Sequence, residues 1–150
     1  MSPENLKHIL DSVRIAPDLV PNQPKEGDTH CNEAVRRVFC LAGFPNVFKK
    51  NELANSIIQQ VKAEDSNFRQ VGSVEAWRSA QEGSLVVAGH LYLGHGHVAM
   101  VYPTDKMEHS GSWNKDVPML SNVGKTVGIM KASEAFTASL GEPAYFVFLG

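Results

Sequence analysis

The chain has 150 residues, of which 43% are hydrophobic, and a formal net charge of -2 at pH 7. This length fits one domain with a hydrophobic core of its own. The weak negative charge gives no electrostatic basis for binding nucleic acid or an anionic membrane surface. Small molecules, peptides, glycans and proteins remain as candidate partners. Because the sequence has no long apolar run, we expect neither a membrane span nor a classical export signal.

The first half of the chain has the periodicity of amphipathic helices. Four helices are predicted, over residues 3–14, 30–42, 52–61 and 73–80. Three prolines interrupt regular structure between the first and second helices. Thr29 is the predicted N-cap of the second helix, which places Cys31 at its second position, and Ser73 is predicted to cap the fourth.

Short runs rich in β-branched and aromatic residues follow in the second half of the chain. Five strands are predicted, over residues 84–88, 97–102, 106–110, 126–130 and 144–149. A glycine-rich segment separates the first two, which are therefore expected to be antiparallel neighbours. Helices that come first and strands that follow indicate an α+β fold.

Cys31 lies in the first turn of a predicted helix. Backbone N–H groups without acceptors and the helix dipole favour a negative charge there, so a thiolate forms more easily. Cys31 is therefore a candidate nucleophile. Cys40 falls on the apolar side of the same helix, about 13 Å away by helical rise, which is too far for a disulfide. We expect it to be a packing residue.

A thiolate nucleophile needs a base, and an imidazole is the usual one. His97 begins a predicted strand after a glycine turn, so it is expected at the rim of the sheet, where a helix start could present Cys31. His109 lies in the next predicted strand and would orient the His97 ring if the two strands form a hairpin. A shift of one residue in register would exchange His109 for Glu108 or Ser110.

Three segments of this arrangement resemble the NlpC-type cell-wall peptidases, a circularly permuted branch of the papain-like cysteine hydrolases that includes the CHAP-type amidases. They are Thr-His-Cys-Asn at 29–32, Gly-His-Val-Ala-Met-Val at 96–101 and Met-Glu-His-Ser at 107–110. Residues 54–57 and 85–89 also look like the amidase effectors delivered by type VI secretion, which are toxins that cleave peptide stems and cross-links in peptidoglycan. The resemblance covers most of the chain.

The resemblance implies one papain-like domain over residues 1–150, with N-terminal helices packed on an antiparallel sheet of about five strands. It implies a cysteine peptidase or amidase that hydrolyses an amide bond in peptidoglycan and needs no cofactor. The implied catalytic residues are Cys31, His97 and His109. Three further residues are expected to contact the substrate: Asp28, Asn32 and Trp113.

The sequence departs from the NlpC-type family in two places. Those enzymes usually carry Asp-Cys-Ser-Gly around the nucleophile, and many have an upstream tyrosine at the oxyanion site that residues 15–28 lack. An outlying amidase group is favoured, with the second oxyanion donor unassigned. A zinc site of His95, His97 and Cys31 is disfavoured, because no fourth ligand has a recognisable spacing.

The resemblance also bears on where the protein acts and with what. We expect action in the periplasm or the extracellular cell wall, after synthesis in the cytoplasm and export by a dedicated secretion system. We expect a monomer. If the protein is a toxin, an immunity or inhibitor protein is expected to bind over its cleft. The alternatives are a papain-like deamidase or acyltransferase acting on a protein or lipid, and an inactive binding module of the same fold.

Overall fold

The computed structural model describes residues 1–19, 30–91, 96–136 and 141–150. Within these ranges the helices are α1 Pro3–Arg14, α2 Cys31–Leu41, α3 Ala54–Lys62, α4 Ser73–Gln81 and α5 Ala132–Ala135. The strands are β1 Phe68–Val71, β2 Val86–His90, β3 His97–Val101, β4 Glu108–Ser110, β5 Lys115–Val117, β6 Met119–Val123, β7 Val127–Lys131 and β8 Ala144–Phe148. No helix among these residues combines the length and apolar character needed to cross a membrane.

Six of the strands form one antiparallel sheet in the order β1-β8-β2-β3-β6-β7. The expected antiparallel pairing of β2 with β3 is confirmed. Strands β4 and β5 form a separate antiparallel pair. The α+β class predicted from the sequence is therefore confirmed, with a sheet of six strands.

Hydrophobic side chains are buried on both faces of the sheet. On one face the helices α1, α2 and α3 pack against residues such as Val87, Val98 and Phe146. On the other face α4 and α5 pack against residues such as Val86 and Ala99. Alternate residues of β2 and β3 enter opposite cores, which explains why both strands are apolar almost throughout.

The four predicted helices are present, with ends that differ from the prediction by up to two residues. In α1, Ser2 accepts a hydrogen bond from the backbone N–H of Asn5 at 3.1 Å, and Pro3 occupies the first turn. The cap predicted for the fourth helix is corrected. Gly72 is the N-cap residue of α4, and Ser73 is already inside the helix, 9% exposed.

Three strands were absent from the sequence prediction: β1, β5 and β6. Of these, β6 matters most, because it pairs directly with β3. It contains Ser121 and Asn122, and both are buried despite their polarity. Because a buried strand is expected to be apolar, these two polar residues explain why the sequence does not predict β6.

Gly89 provides a test of how closely α3 packs on the sheet. A Cβ at this position would lie 2.8 Å from Cγ1 of Ile58, which is 2% exposed. We expect Gly89→Ala to lower the free energy of unfolding by about 1–3 kcal/mol through overpacking. Gly111→Ala, whose Cβ would meet no atom within 4 Å, is the matched control and should change it by about 0.5 kcal/mol or less. Equal losses in urea unfolding would contradict this packing.

Candidate active site

Cys31 is the first residue of α2, one position nearer the helix start than predicted. The N-cap residue is His30, and the predicted cap Thr29 lies outside the described residues. The helix is held on the sheet by its buried face, which includes Val35 and Val38. Cys31 itself is 5% exposed and borders a cavity of about 10 Å³, which is too small for a ligand larger than water.

His97 is the first residue of β3, and its side chain hydrogen-bonds with that of Cys31. The preceding residue, Gly96, lies directly against the start of α3. A Cβ at Gly96 would lie 3.0 Å from the backbone nitrogen of Asn55 and closer still to its Oδ1, so glycine allows this approach without a shift of α3 or of the Asn55 side chain. The start of α3 therefore fixes the backbone from which His97 projects towards Cys31.

The second ring nitrogen of His97 is held by Asn122 on β6. His97 Nε2 lies 2.6 Å from Asn122 Oδ1. Because Asn122 is 2% exposed and its Nδ2 donates to the carbonyl of Thr126 at 2.9 Å, its amide is fixed at both ends. The oxygen can only accept, so Nε2 donates the hydrogen, and Nδ1 is left as the ring nitrogen for Cys31.

Two neighbours enclose the His97 ring. The ring of Phe136 lies 4.9 Å away between centroids, and Phe136 is itself 2% exposed. On the β6–β7 turn, Gly124 is so close that a Cβ there would lie 3.1 Å from His97 Cε1. These two neighbours shield part of the ring, and His97 as a whole is partly buried.

These surroundings act on the pKa of His97 in opposite directions. Burial lowers it and is the largest single influence, whereas the hydrogen bond to Cys31, the Cys31 charge and the hydrogen bond to Asn122 all raise it. The net result is a pKa above the ordinary value of 6.5. A histidine that keeps its proton can stabilise a neighbouring thiolate and later protonate a leaving amine.

The structure does not bring His109 to His97. Strand β4, which carries His109, pairs with β5 rather than with β3, and His109 Nδ1 lies 3.3 Å from Asp116 Oδ1 on that strand. The side chain of His109 is 62% exposed. This corrects the predicted partner of His97, because Asn122 occupies the place that the sequence analysis gave to His109.

The two other candidates for that role lie on the same short strand as His109. Ser110 is 1% exposed and donates a hydrogen bond to Ser133 Oγ at 2.7 Å, while Glu108 is partly buried at the start of β4. Strand β4 pairs with β5, outside the six-stranded sheet, so neither residue neighbours His97 along a strand.

The expected substrate contacts are placed differently from one another. Asn32 Nδ2 donates to the carbonyl of Glu52 at 2.7 Å, which ties the start of α2 to the segment before α3. Trp113 is partly buried against the core that includes α4 and α5. Asp28 lies outside the described residues. The structure thus gives Asn32 a structural contact and places Trp113 in packing.

The histidines near Cys31 are possible metal ligands. His95 lies outside the described residues. Among the residues that the structure does describe, no group of three or more His, Cys, Asp or Glu side chains is placed to hold a metal ion.

Asn122 is the site residue that the sequence analysis missed. Its signal was present but weak: a serine and an asparagine between apolar residues, followed by glycine at position 124. A buried amide in a strand requires hydrogen-bond partners, so such a residue marks a polar contact inside the fold.

Compared with known proteins, the chain matches no family model, and no curated protein matches it significantly.

The pKa of His97 provides a direct test of its contact with Cys31. In the wild-type protein His97 is expected to titrate above pH 6.5. In Cys31→Ala both contributions of the cysteine are lost, and burial, the largest influence, then outweighs Asn122. The pKa of His97 should therefore fall below 6.5, as measured by NMR titration of the ring. A pKa that stays raised in this variant would contradict the contact.

The same shift predicts how stability depends on pH. Because the folded-state pKa lies above the unfolded value, His97 adds stability below about pH 6.5 and loses this contribution as the pH rises through the folded-state pKa. In Cys31→Ala the sign reverses, since a lowered pKa makes acid destabilising at this residue. Urea unfolding on both sides of pH 6.5 compares the two proteins.

Proposed function

We propose that the protein is a cysteine hydrolase that cleaves an amide bond in peptidoglycan stem peptides or cross-links. The observation that carries the proposal is the hydrogen-bonded series of Cys31, His97 and Asn122. A thiol at a helix start, an imidazole in contact with it and an amide that orients the imidazole form the arrangement that nucleophilic catalysis by cysteine requires.

The proposed reaction has two stages. The Cys31 thiolate attacks the substrate carbonyl, and the backbone N–H of Cys31, in the first turn of α2, donates to the oxyanion. His97 then protonates the leaving amine, which leaves a thioester on Cys31. In the second stage His97 takes a proton from water, the resulting hydroxide attacks the thioester, and the carboxylic acid product is released.

Asn122 has a positioning role in this scheme. By accepting from Nε2 it holds the tautomer in which Nδ1 faces the sulfur, and it holds the ring orientation. As a neutral amide it does this without adding a second charge to an enclosed site. The amide therefore supports both protonation states that His97 passes through.

The papain-like identity of the fold belongs to the same proposal. The nucleophile lies on a helix that packs on an antiparallel sheet, and the base and the orienting amide lie on the paired strands β3 and β6. The chain order is Cys31, His97, Asn122. This order and the segments around Cys31 and His97 that resemble cell-wall amidases favour peptidoglycan as the substrate, with action in the periplasm or cell wall as a secreted effector.

Digestion of purified sacculi tests the reaction. We expect the wild-type protein to release muropeptides in which one amide bond has gained water, detected by mass spectrometry. Cys31→Ala should release none, and His97→Ala should act about 10²- to 10⁴-fold more slowly. Unchanged muropeptides across several pH values, with the protein shown to be folded, would reject this substrate. Loss of ammonia without chain cleavage would indicate a deamidase instead.

A second pair of variants separates Asn122 from His109. Asn122→Ala removes a hydrogen bond to a histidine that becomes charged, so kcat should fall by about 10- to 100-fold, and the pH profile should shift to lower pH. His109→Ala removes an exposed side chain and should leave kcat within about twofold. Circular dichroism serves as the folding control. A larger loss in His109→Ala than in Asn122→Ala would contradict the assignment.

A further inference from the structure

A cleft next to the candidate active site has no part in the mechanism above. It has a volume of about 230 Å³ and is lined by residues of α3, of the C-terminal end of β2 and of the segment that leads into β8, among them Lys62, Gly89, His90 and Glu142. This volume is enough for the end of a side chain or a carboxylate group, although it is smaller than a site for a whole drug-sized ligand.

The register of the sheet places this cleft beside the proposed base. His90, in the cleft wall, is the residue directly opposite His97 in the β2–β3 pair. Residues in such pairs have Cα atoms about 4.5–5.5 Å apart. The backbone of the cleft wall is therefore one strand away from the backbone that carries the proposed base.

The shape of the cleft depends on Gly89, which has no side chain. Gly89 allows Ile58 of α3 to approach so closely that a Cβ would lie 2.8 Å from its Cγ1. Lys62 follows Ile58 by four residues on the same face of the helix, since residues four apart are neighbours on a helix surface. The close approach of α3 thus brings the end of the helix, with its lysine, to the cleft.

The charges of the cleft leave one cation uncompensated. The negative charge of Glu142 already has partners, because Lys115 Nζ lies 2.9 Å from Oε1 and the hydroxyl of Tyr145 donates to Oε2 at 3.2 Å. His90 Nδ1 donates to the carbonyl of Leu91 at 3.0 Å. Lys62 has no ion-pair partner among the residues that the structure describes. The charge that the cleft offers to a ligand is therefore positive.

We propose that this cleft binds a free carboxylate of the peptide substrate through the ammonium group of Lys62. The inference rests on the proposed function and deepens it by naming the substrate class, which is an acidic peptide rather than its amidated form. Stem peptides carry such carboxylates close to their amide bonds. Lys62 would then determine specificity without taking part in the chemistry.

Two stem tetrapeptides test the proposal, one with its carboxylates free and one with both converted to carboxamides. For the wild-type protein KM should be about fivefold lower for the free acid, the size expected of an exposed ion pair. In Lys62→Gln this ratio should fall to about one, with kcat unchanged, and Lys62→Arg should retain it. Lys106→Gln, an exposed lysine beyond the opposite end of β3, is the matched control and should keep the wild-type ratio.

Binding is measured in parallel on Cys31→Ala by NMR, with the same two peptides. Shifts of the Gly89 and Ala144 amides with the free acid, and much smaller ones with the amidated peptide, support the cleft even if the wild-type protein cleaves neither peptide. Cleavage with an equal KM ratio in wild type and Lys62→Gln overturns the cleft and leaves the hydrolase standing. If the wild-type protein cleaves neither peptide and neither peptide shifts these amides, both the cleft and the proposed hydrolase are overturned.

Discussion

The hydrogen bond between His97 and Asn122 is the constraint on which the site depends. An enclosed imidazole has two nitrogens to satisfy, and an unsatisfied one would cost about 1–3 kcal/mol. Asn122 satisfies Nε2 at 2.6 Å, and the other nitrogen is thereby directed to Cys31. The bond exists because β3 and β6 are adjacent in the sheet. The order of the strands in the sheet, rather than their order in the chain, therefore determines which residues form the site.

The same enclosure explains why the partner is an amide. Burial alone pushes the pKa of His97 down, which would favour a neutral ring with little ability to hold a thiolate. The contributions of Cys31 and Asn122 reverse this, and those of Cys31 exceed that of Asn122. The protonation of His97 thus depends mainly on the sulfur it serves. A carboxylate in place of Asn122 would hold the proton more firmly and weaken that dependence.

The sequence was sufficient for the parts of this arrangement that depend on local patterns. Periodicity and the positions of the glycines predict the helix that starts near Cys31, the strand that starts at His97 and the β2–β3 pairing. The structure confirms all three. The partner of His97 could not be found in this way. Closeness in the chain favours His109, but the chain leaves the main sheet after β3 and returns to it with β6. Pairing between strands separated by β4 and β5 leaves no local pattern.

The two cysteines of α2 show how far a helix position alone decides chemistry. Cys31 and Cys40 are both free thiols on one helix. Cys40 lies near the C-terminal end, where it accepts a hydrogen bond from Arg36 Nη1 at 3.3 Å within the same helix. Cys31 lies at the N-terminal end and contacts a residue of the sheet. That contact requires His97 to be held by groups from α3, β6 and the β6–β7 turn, two of which approach at glycines. The reactivity proposed for Cys31 is therefore a property of the packed sheet and helices together, and replacing either glycine would affect it without touching the sulfur.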